Sequence, residues 1–261
     1  MKGHKVFFLG AGPGDPELLT QRSARILRDC PFVYVPPLYG ESFAELLEGK
    51  ELFVPFEYYF ADLIRMISTQ LDKASVAFLV PGDQTFYSPF QALVDELGEL
   101  AEVVPGVGTA NAASALLKKT LDLPGVCSRV VLASPRTLGE GPDAPTVGDF
   151  AAPGVTLLIY MNNLPLVELV KQLRTGYGKD VPIALAHKIG LPEEELVMAT
   201  LDTIAEKIGH RDYFNLDVPN SKPALTLILV GECLSAKGDP GWWDYRRDHI
   251  WKYRSDYRGA H

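Results

Sequence analysis

The sequence predicts an α/β protein of two domains. Three observations carry this: short apolar bursts recur along the chain, helical or loop segments separate most of them, and a Pro-Gly pair breaks the alternation near the middle. Short buried strands alternating with helices give a mainly parallel sheet. In order, the expected strands are residues 6–9, 32–35, 76–80, 102–104, 130–133, 156–161, 182–186 and 225–230. The expected helices are 22–30, 60–71, 89–97, 109–119, 164–173 and 202–207. A boundary is expected within 120–126, where Leu121-Asp122-Leu123-Pro124-Gly125 precedes a new strand and the Pro-Gly pair supports a linker. This gives an N-terminal domain over 1–121, a C-terminal domain over 122–235 and a tail over 236–261.

With 261 residues, 47% of them hydrophobic, the chain can bury a sizeable core in each domain. Its formal net charge of -8 argues against a nucleic-acid partner, because phosphate contacts supply most of such affinity. An anionic substrate must then meet local cations, for which Arg129, Arg136 and Lys188 are the candidates. Cys30, Cys127 and Cys233 are far apart and odd in number, which fits a reduced, cytoplasmic compartment. The five histidines show neither HExxH nor paired spacing, so no metal site is expected. No stretch approaches the roughly 18 apolar residues of a spanning helix, so no membrane partner is expected.

Three glycine turns carry the candidate chemistry. The first, Gly10-Ala11-Gly12-Pro13-Gly14-Asp15-Pro16, follows an apolar run and precedes a helical pattern starting near Glu17. A strand, a Gly/Pro turn and a helix are how an open parallel sheet presents backbone to a small ligand. Asp15 stands where a dinucleotide fingerprint needs its third glycine, and Pro13 lacks an N–H that a pyrophosphate would use. The second turn, Pro81-Gly82-Asp83-Gln84-Thr85-Phe86-Tyr87-Ser88, places a carboxylate suited to a ribose hydroxyl or a cationic group at a strand's end. An Asx-type turn in which Asp83 caps the helix after Pro89 is the alternative. The third, residues 104–113, leads into a small-residue helix that lets a planar group lie close to backbone.

Residues 10–20, Gly-Ala-Gly-Pro-Gly-Asp-Pro-Glu-Leu-Leu-Thr, closely resemble the N-terminal signature of the tetrapyrrole (corrin and porphyrin) methylases. Further matches are Gly82-Asp83 with Tyr87, Pro105-Gly106, Tyr160-Met161, residues 182–186, Leu191-Pro192-Glu193-Glu194 and residues 225–231, so that the resemblance covers about residues 5–233. It implies two α/β domains, a homodimer, a tetrapyrrole substrate, and S-adenosylmethionine held in a cleft between the domains. Carried over position by position, the cofactor is expected at Pro13, Pro81, Gly82, Asp83, Phe86, Gly108, Thr109, Met161, Ala186 and Ala224. Residues 185–194 look most like the branch that methylates carbon 11 of precorrin-4 or its cobalt form. Phe86-Tyr87-Ser88 looks more like the branch acting on carbon 20 of precorrin-2. Gln84 stands where the family has proline, Ser88 where many members have glycine, and Val35-Pro36-Pro37 where some porphyrin-ring members carry an aspartate. The last departure weakens a uroporphyrinogen methylase assignment, and the Gln84 departure keeps open a cofactor-binding homologue without activity.

Methyl transfer from a sulfonium is an in-line displacement, so positioning matters more than a nucleophilic side chain. Tyr87 and His187 are expected to help a ring proton leave, His187 having an ordinary pKa suited to neutral pH, and Lys188 is expected to meet the acceptor. In the tail, Trp242, Trp243, Tyr245, Trp251, Tyr253 and Tyr257 alternate with Arg246, Arg247, Lys252, Arg254 and Arg258. Such a segment stacks on planar ligands or packs on the body or a partner subunit.

Overall fold

A computed structural model describes residues 3–139, 141, 143–216 and 224–253. Arg254, Tyr257 and Arg258 of the tail lie outside the described residues. The chain divides into two compact units, one comprising Met1–Ala113 with Lys188–Glu195, the other Ser114–His187 with Leu196–His261. The division thus falls inside a helix, ahead of the expected 121/122 boundary, and the tail groups with the second unit.

The first unit is a parallel sheet of five strands ordered β3-β2-β4-β1-β5. These are β1 Val6–Gly10, β2 Phe32–Tyr34, β3 Glu51–Phe53, β4 Val76–Val80 and β5 Ala101–Val104. The helices are α1 Gln21–Asp29, α2 Ala44–Leu47, α3 Phe60–Leu71, α4 Gln91–Leu97 and α5 Thr109–Leu117, the last running into the second unit. Strand β4 is buried along its whole length, and β1 in all but one residue, as central strands covered on both faces must be. On one face Phe78 stacks on Tyr34 at 4.2 Å and on Phe8 at 5.0 Å, adding directional packing to apolar burial. The first helix does not run on from Glu17. Asp15 caps a single 3-10 turn, Pro16–Leu18, the chain extends through Leu19, and Thr20 accepts from Ser23 N at 3.1 Å to start α1. Two successive caps override the helical pattern between them.

The second unit holds β6 Arg129–Ala133, β7 Val155–Ile159, β8 Pro182–His187, β9 Glu195–Thr200 and β10 Thr226–Val230 in the order β6-β7-β10-β8-β9. Its described helices are α6 Leu166–Tyr177, α7 Ile204–Ile208 and α8 Pro240–His249. This sheet is mixed, a correction to the mainly parallel expectation: β6 pairs parallel with β7, but β10 lies antiparallel to both β7 and β8. Strand direction leaves no mark on a continuous apolar run such as Thr226–Val230, which is buried at every residue. The antiparallel insertion brings the start of β10 to the carboxyl ends of β7 and β8, with Thr226 opposite His187 and Ile228 opposite Ile159. No described helix is long and apolar enough to cross a membrane. All three cysteines are buried and free.

Candidate active site

In the first unit the three glycine turns meet at the carboxyl ends of β1, β4 and β5. Gly12 and Gly82 exchange backbone hydrogen bonds, Gly12 N to Gly82 O at 3.1 Å and Gly82 N to Gly12 O at 2.8 Å. A Cβ built on Gly10 would stand 2.4 Å from Gly106 N, and one on Gly106 would stand 2.4 Å from Gly82 O. Glycine is needed here for close approach of three backbones, not for an unusual dihedral. Tyr39, wholly buried, donates from its hydroxyl to Gly12 O at 2.7 Å; burial pushes its pKa up, against the lowering effect of hydrogen bonding with the Gly82 backbone.

Asp83 joins the second turn to the third. One carboxylate oxygen accepts from Gly106 N at 2.6 Å; the other accepts from Thr85 N at 2.8 Å and from the Thr85 hydroxyl. Partial burial by itself would raise its pKa, but the bonds from the Thr85 hydroxyl, Gly106 N–H and Thr85 N–H together hold it below the usual carboxylate value. The expected role facing a ribose or cation therefore shares the carboxylate with a latch between turns, and the helix after Pro89 gets no cap from it. Gly82, at φ 68, would carry a Cβ 3.8 Å from Thr109 N and Oγ1 and 3.9 Å from Gly108 Cα. Its lack of a side chain leaves a cradle beside Gly108 and Thr109 at the start of α5. Pro13 is buried, Pro81 exposed, and Phe86 and Tyr87 lie exposed on the second turn, Tyr87 in the left-handed region at φ 54. Partial burial raises the Tyr87 pKa.

Residues 188–195 belong to this corner as well. A Cβ on Gly14 would stand 2.5 Å from Leu191 Cδ2, and one on Gly190 would stand 2.9 Å from Asp15 N and 3.2 Å from Pro13 Cγ. Lys188, at φ 49, pairs with Glu193 at 3.6 Å, and Gly190 N donates to Glu194 at 2.8 Å. The expected acceptor-binding ammonium thus has a carboxylate beside it.

The second unit gathers its expected residues at one end of its sheet. Met161, at φ 49, follows β7; Ala186, wholly buried, and His187 end β8; Ala224 precedes β10. His187 Nδ1 lies 2.7 Å from Thr226 Oγ1, whose proton goes to Tyr213 O at 2.6 Å. Thr226 has one proton, so it must accept from His187, which assigns the ring proton to Nδ1. The Tyr213 ring meets the imidazole edge-on at 5.3 Å. Arg129 donates to Pro153 O at 2.9 Å, and Arg136 is exposed after β6. Among the described residues no group of three His, Cys, Asp or Glu is placed to hold a metal ion. Sequence reasoning missed Tyr39 and Thr226; their long-range hydrogen bonds leave no local pattern.

Residues 5–205 match the family model of the Tetrapyrrole (Corrin/Porphyrin) Methylases. The chain is a tetrapyrrole methylase. Like its family, it is a methyltransferase. The methylase is 31% identical over 254 residues to the precorrin-4 C(11)-methyltransferase of Pseudomonas aeruginosa, covering 95% of this chain and 98% of that protein. It is 28% identical to the cobalt-precorrin-4 C(11)-methyltransferase of Methanocaldococcus jannaschii, covering 98% and 97%. Its fold is shared with a solved cobalt precorrin-4 methyltransferase of cobalamin biosynthesis, at 22% identity and a TM-score of 0.73 over 90% of this chain and 97% of that one. A uroporphyrin-III C-methyl transferase of Thermus thermophilus, solved with S-adenosyl homocysteine, matches at 26% identity and a TM-score of 0.63, over 88% and 98%.

Proposed function

We propose that this methylase transfers a methyl group from S-adenosylmethionine to carbon 11 of precorrin-4 or its cobalt form in cobalamin biosynthesis. The observation that carries the reading is the near full-length similarity to precorrin-4 C(11)-methyltransferases, at up to 31% identity. The residues present fit the cofactor: the side-chain-free cradle at Gly82 admits a thin group against Gly108 and Thr109, with an ionised Asp83 beside it. Bound there, S-adenosylmethionine supplies an electrophilic methyl on a cationic sulfur. The residues assigned to its surroundings are Pro13, Pro81, Gly82, Asp83, Phe86, Gly108, Thr109, Met161, Ala186 and Ala224.

The protein's own contribution is placement and proton handling. Rigid glycine turns hold the methyl donor so that a ring carbon attacks in line. His187, with its proton on Nδ1, presents Nε2 as the atom that takes a ring proton, and Thr226 fixes that tautomer. Tyr87 assists from the second turn, and Lys188 exchanges Glu193 for a substrate carboxylate. We also propose a homodimer and a cytoplasmic location, the former checked by sedimentation of the purified chain.

Calorimetry with S-adenosylhomocysteine, followed by mass spectrometry of precorrin-type acceptors, tests the reading. Saturable binding with a one-methyl gain at carbon 11 is expected. A product methylated at carbon 20 reassigns the branch, and binding without turnover on any acceptor makes the chain a cofactor-binding homologue.

A further inference from the structure

The second glycine turn contains a loop, residues 84–88, whose neck is bridged by side chains. Ser88 Oγ donates to Gln84 Oε1 at 2.5 Å and accepts from Phe90 N at 3.2 Å. Gln84 is only 5% exposed, Ser88 is half-buried, and the residues between them, Thr85, Phe86 and Tyr87, are all exposed. Phe90 is buried among Phe8, Phe78 and Val80, so the far end of the loop is tied to the sheet's core. The near end is tied by the Gly12–Gly82 pairing and by Asp83 to Gly106. Between the tied ends, Tyr87 keeps a left-handed backbone at φ 54, a conformation a non-glycine residue holds only when its surroundings impose it.

The geometry points to Gln84 and Ser88 as a pair of positioning residues, a side-chain clip across the neck of the loop that presents Tyr87 to the tetrapyrrole acceptor and steadies Phe86 at the rim of the cofactor's surroundings. This rests on the methylase reading above. The clip acts mainly on the aromatic tip: the cradle at Gly82 keeps the Gly12–Gly82 pairing and the Asp83–Gly106 bond, which lie outside the loop, and meets the loop only through the bonds of Thr85 to Asp83. The two side chains work as one unit, so removing either one opens the neck and removing both adds nothing further.

The experiment compares the full-length wild type with Ser88→Ala, Gln84→Ala, the double variant and Ser88→Thr, which keeps the hydroxyl. The first readout needs no activity: chymotrypsin cleavage after Phe86 and Tyr87, followed by fragment mass, with the exposed Tyr59 and Trp243 as internal references. Both alanine variants and the double variant are expected to be cut at the loop about fivefold faster than wild type, with the reference sites unchanged. The threonine variant is expected to keep the wild-type rate. The second readout is methyl transfer: kcat/KM for a precorrin-4-type acceptor falls about tenfold in each alanine variant and equally in the double variant, while S-adenosylhomocysteine affinity falls less, by about threefold, through Phe86 and the Thr85–Asp83 bonds. Unchanged cleavage, additive losses in the double variant, or a cofactor affinity that falls as far as kcat/KM would each overturn the clip. A wild type that methylates no tetrapyrrole acceptor overturns the functional reading instead, and the cleavage rates still decide the clip.

Discussion

The two units offer contrasting edges. In the first, the edge is backbone: Gly10, Gly82 and Gly106 touch main chain to main chain, and the single carboxylate of Asp83 bridges two turns. In the second, the edge is side chain: Ala186 and Ala224 are small, Met161 is adaptable, and His187 is steered by one hydroxyl. A backbone edge cannot yield to an added atom, whereas a side-chain edge can be altered atom by atom and still fold. The first is therefore the rigid edge, and the second the one that carries an imidazole.

The largest break in this contrast comes from adding one carbon to the backbone edge. Gly106→Ala places a Cβ 2.4 Å from Gly82 O and 2.6 Å from Gly10 Cα; it is expected to cost about 3 kcal/mol in thermal unfolding and to abolish S-adenosylhomocysteine binding in calorimetry. By contrast Met161→Gly removes a whole side chain but relieves a positive φ, so stability is expected to move by less than about 1 kcal/mol. Equal destabilisation by the two would erase the distinction between the edges.

Next in size is Asp83→Asn, which keeps the side chain's shape but removes its charge and sets an NH2 against one of the two backbone N–H donors of the latch. S-adenosylhomocysteine affinity is expected to fall by about tenfold to a hundredfold, the weight of losing charge-assisted hydrogen bonds. The effect on stability has a sign. Because the folded carboxyl titrates below its unfolded value, its contribution is present above about pH 4 and is lost as pH falls through the folded value. Melting curves of wild type and variant are expected to differ at pH 7 and to converge on acidification; a constant gap would mean that Asp83 carries no charge in the fold.

A smaller effect sharpens the side-chain edge. Thr226→Val keeps the volume but removes the acceptor for His187 Nδ1, so kcat is expected to fall about tenfold with a displaced pH profile and unchanged cofactor affinity. An unmoved profile would take His187 out of proton transfer. The smallest is Tyr39→Phe, which deletes the 2.7 Å bond to Gly12 O while Gly82 N still satisfies that carbonyl. It is expected to cost about 1 kcal/mol in denaturant unfolding and to weaken S-adenosylhomocysteine binding by a few fold.

What was legible in the sequence follows the same division between local and distant causes. Helix α3 is read at its full extent, Phe60–Leu71, and strand β4 likewise, because periodicity and burial coincide there. Strands β3 and β9 were not expected; both lie at a sheet edge, and the three residues of β3 are largely exposed, so neither carries a buried run. Helix α8 was missed among the tail's aromatics because none of its residues is buried, although Asp239 before Pro240 is a helix-start signal in plain view. The three turns were visible through their glycines. Their mutual locking by Gly12–Gly82, Asp83–Gly106 and Tyr39 was not, since each bond joins residues far apart in sequence.

The strand at the heart of the second sheet is also the last one among the described residues. Because β10 separates β7 from β8, that sheet cannot zip together during synthesis until Thr226–Val230 has left the ribosome. The first sheet closes from residues 6–104 alone, long before, but its glycine corner waits for residues 188–195 to arrive. A nascent chain thus carries a folded first sheet with an unfinished corner for some eighty residues of elongation, and the second sheet is completed later still.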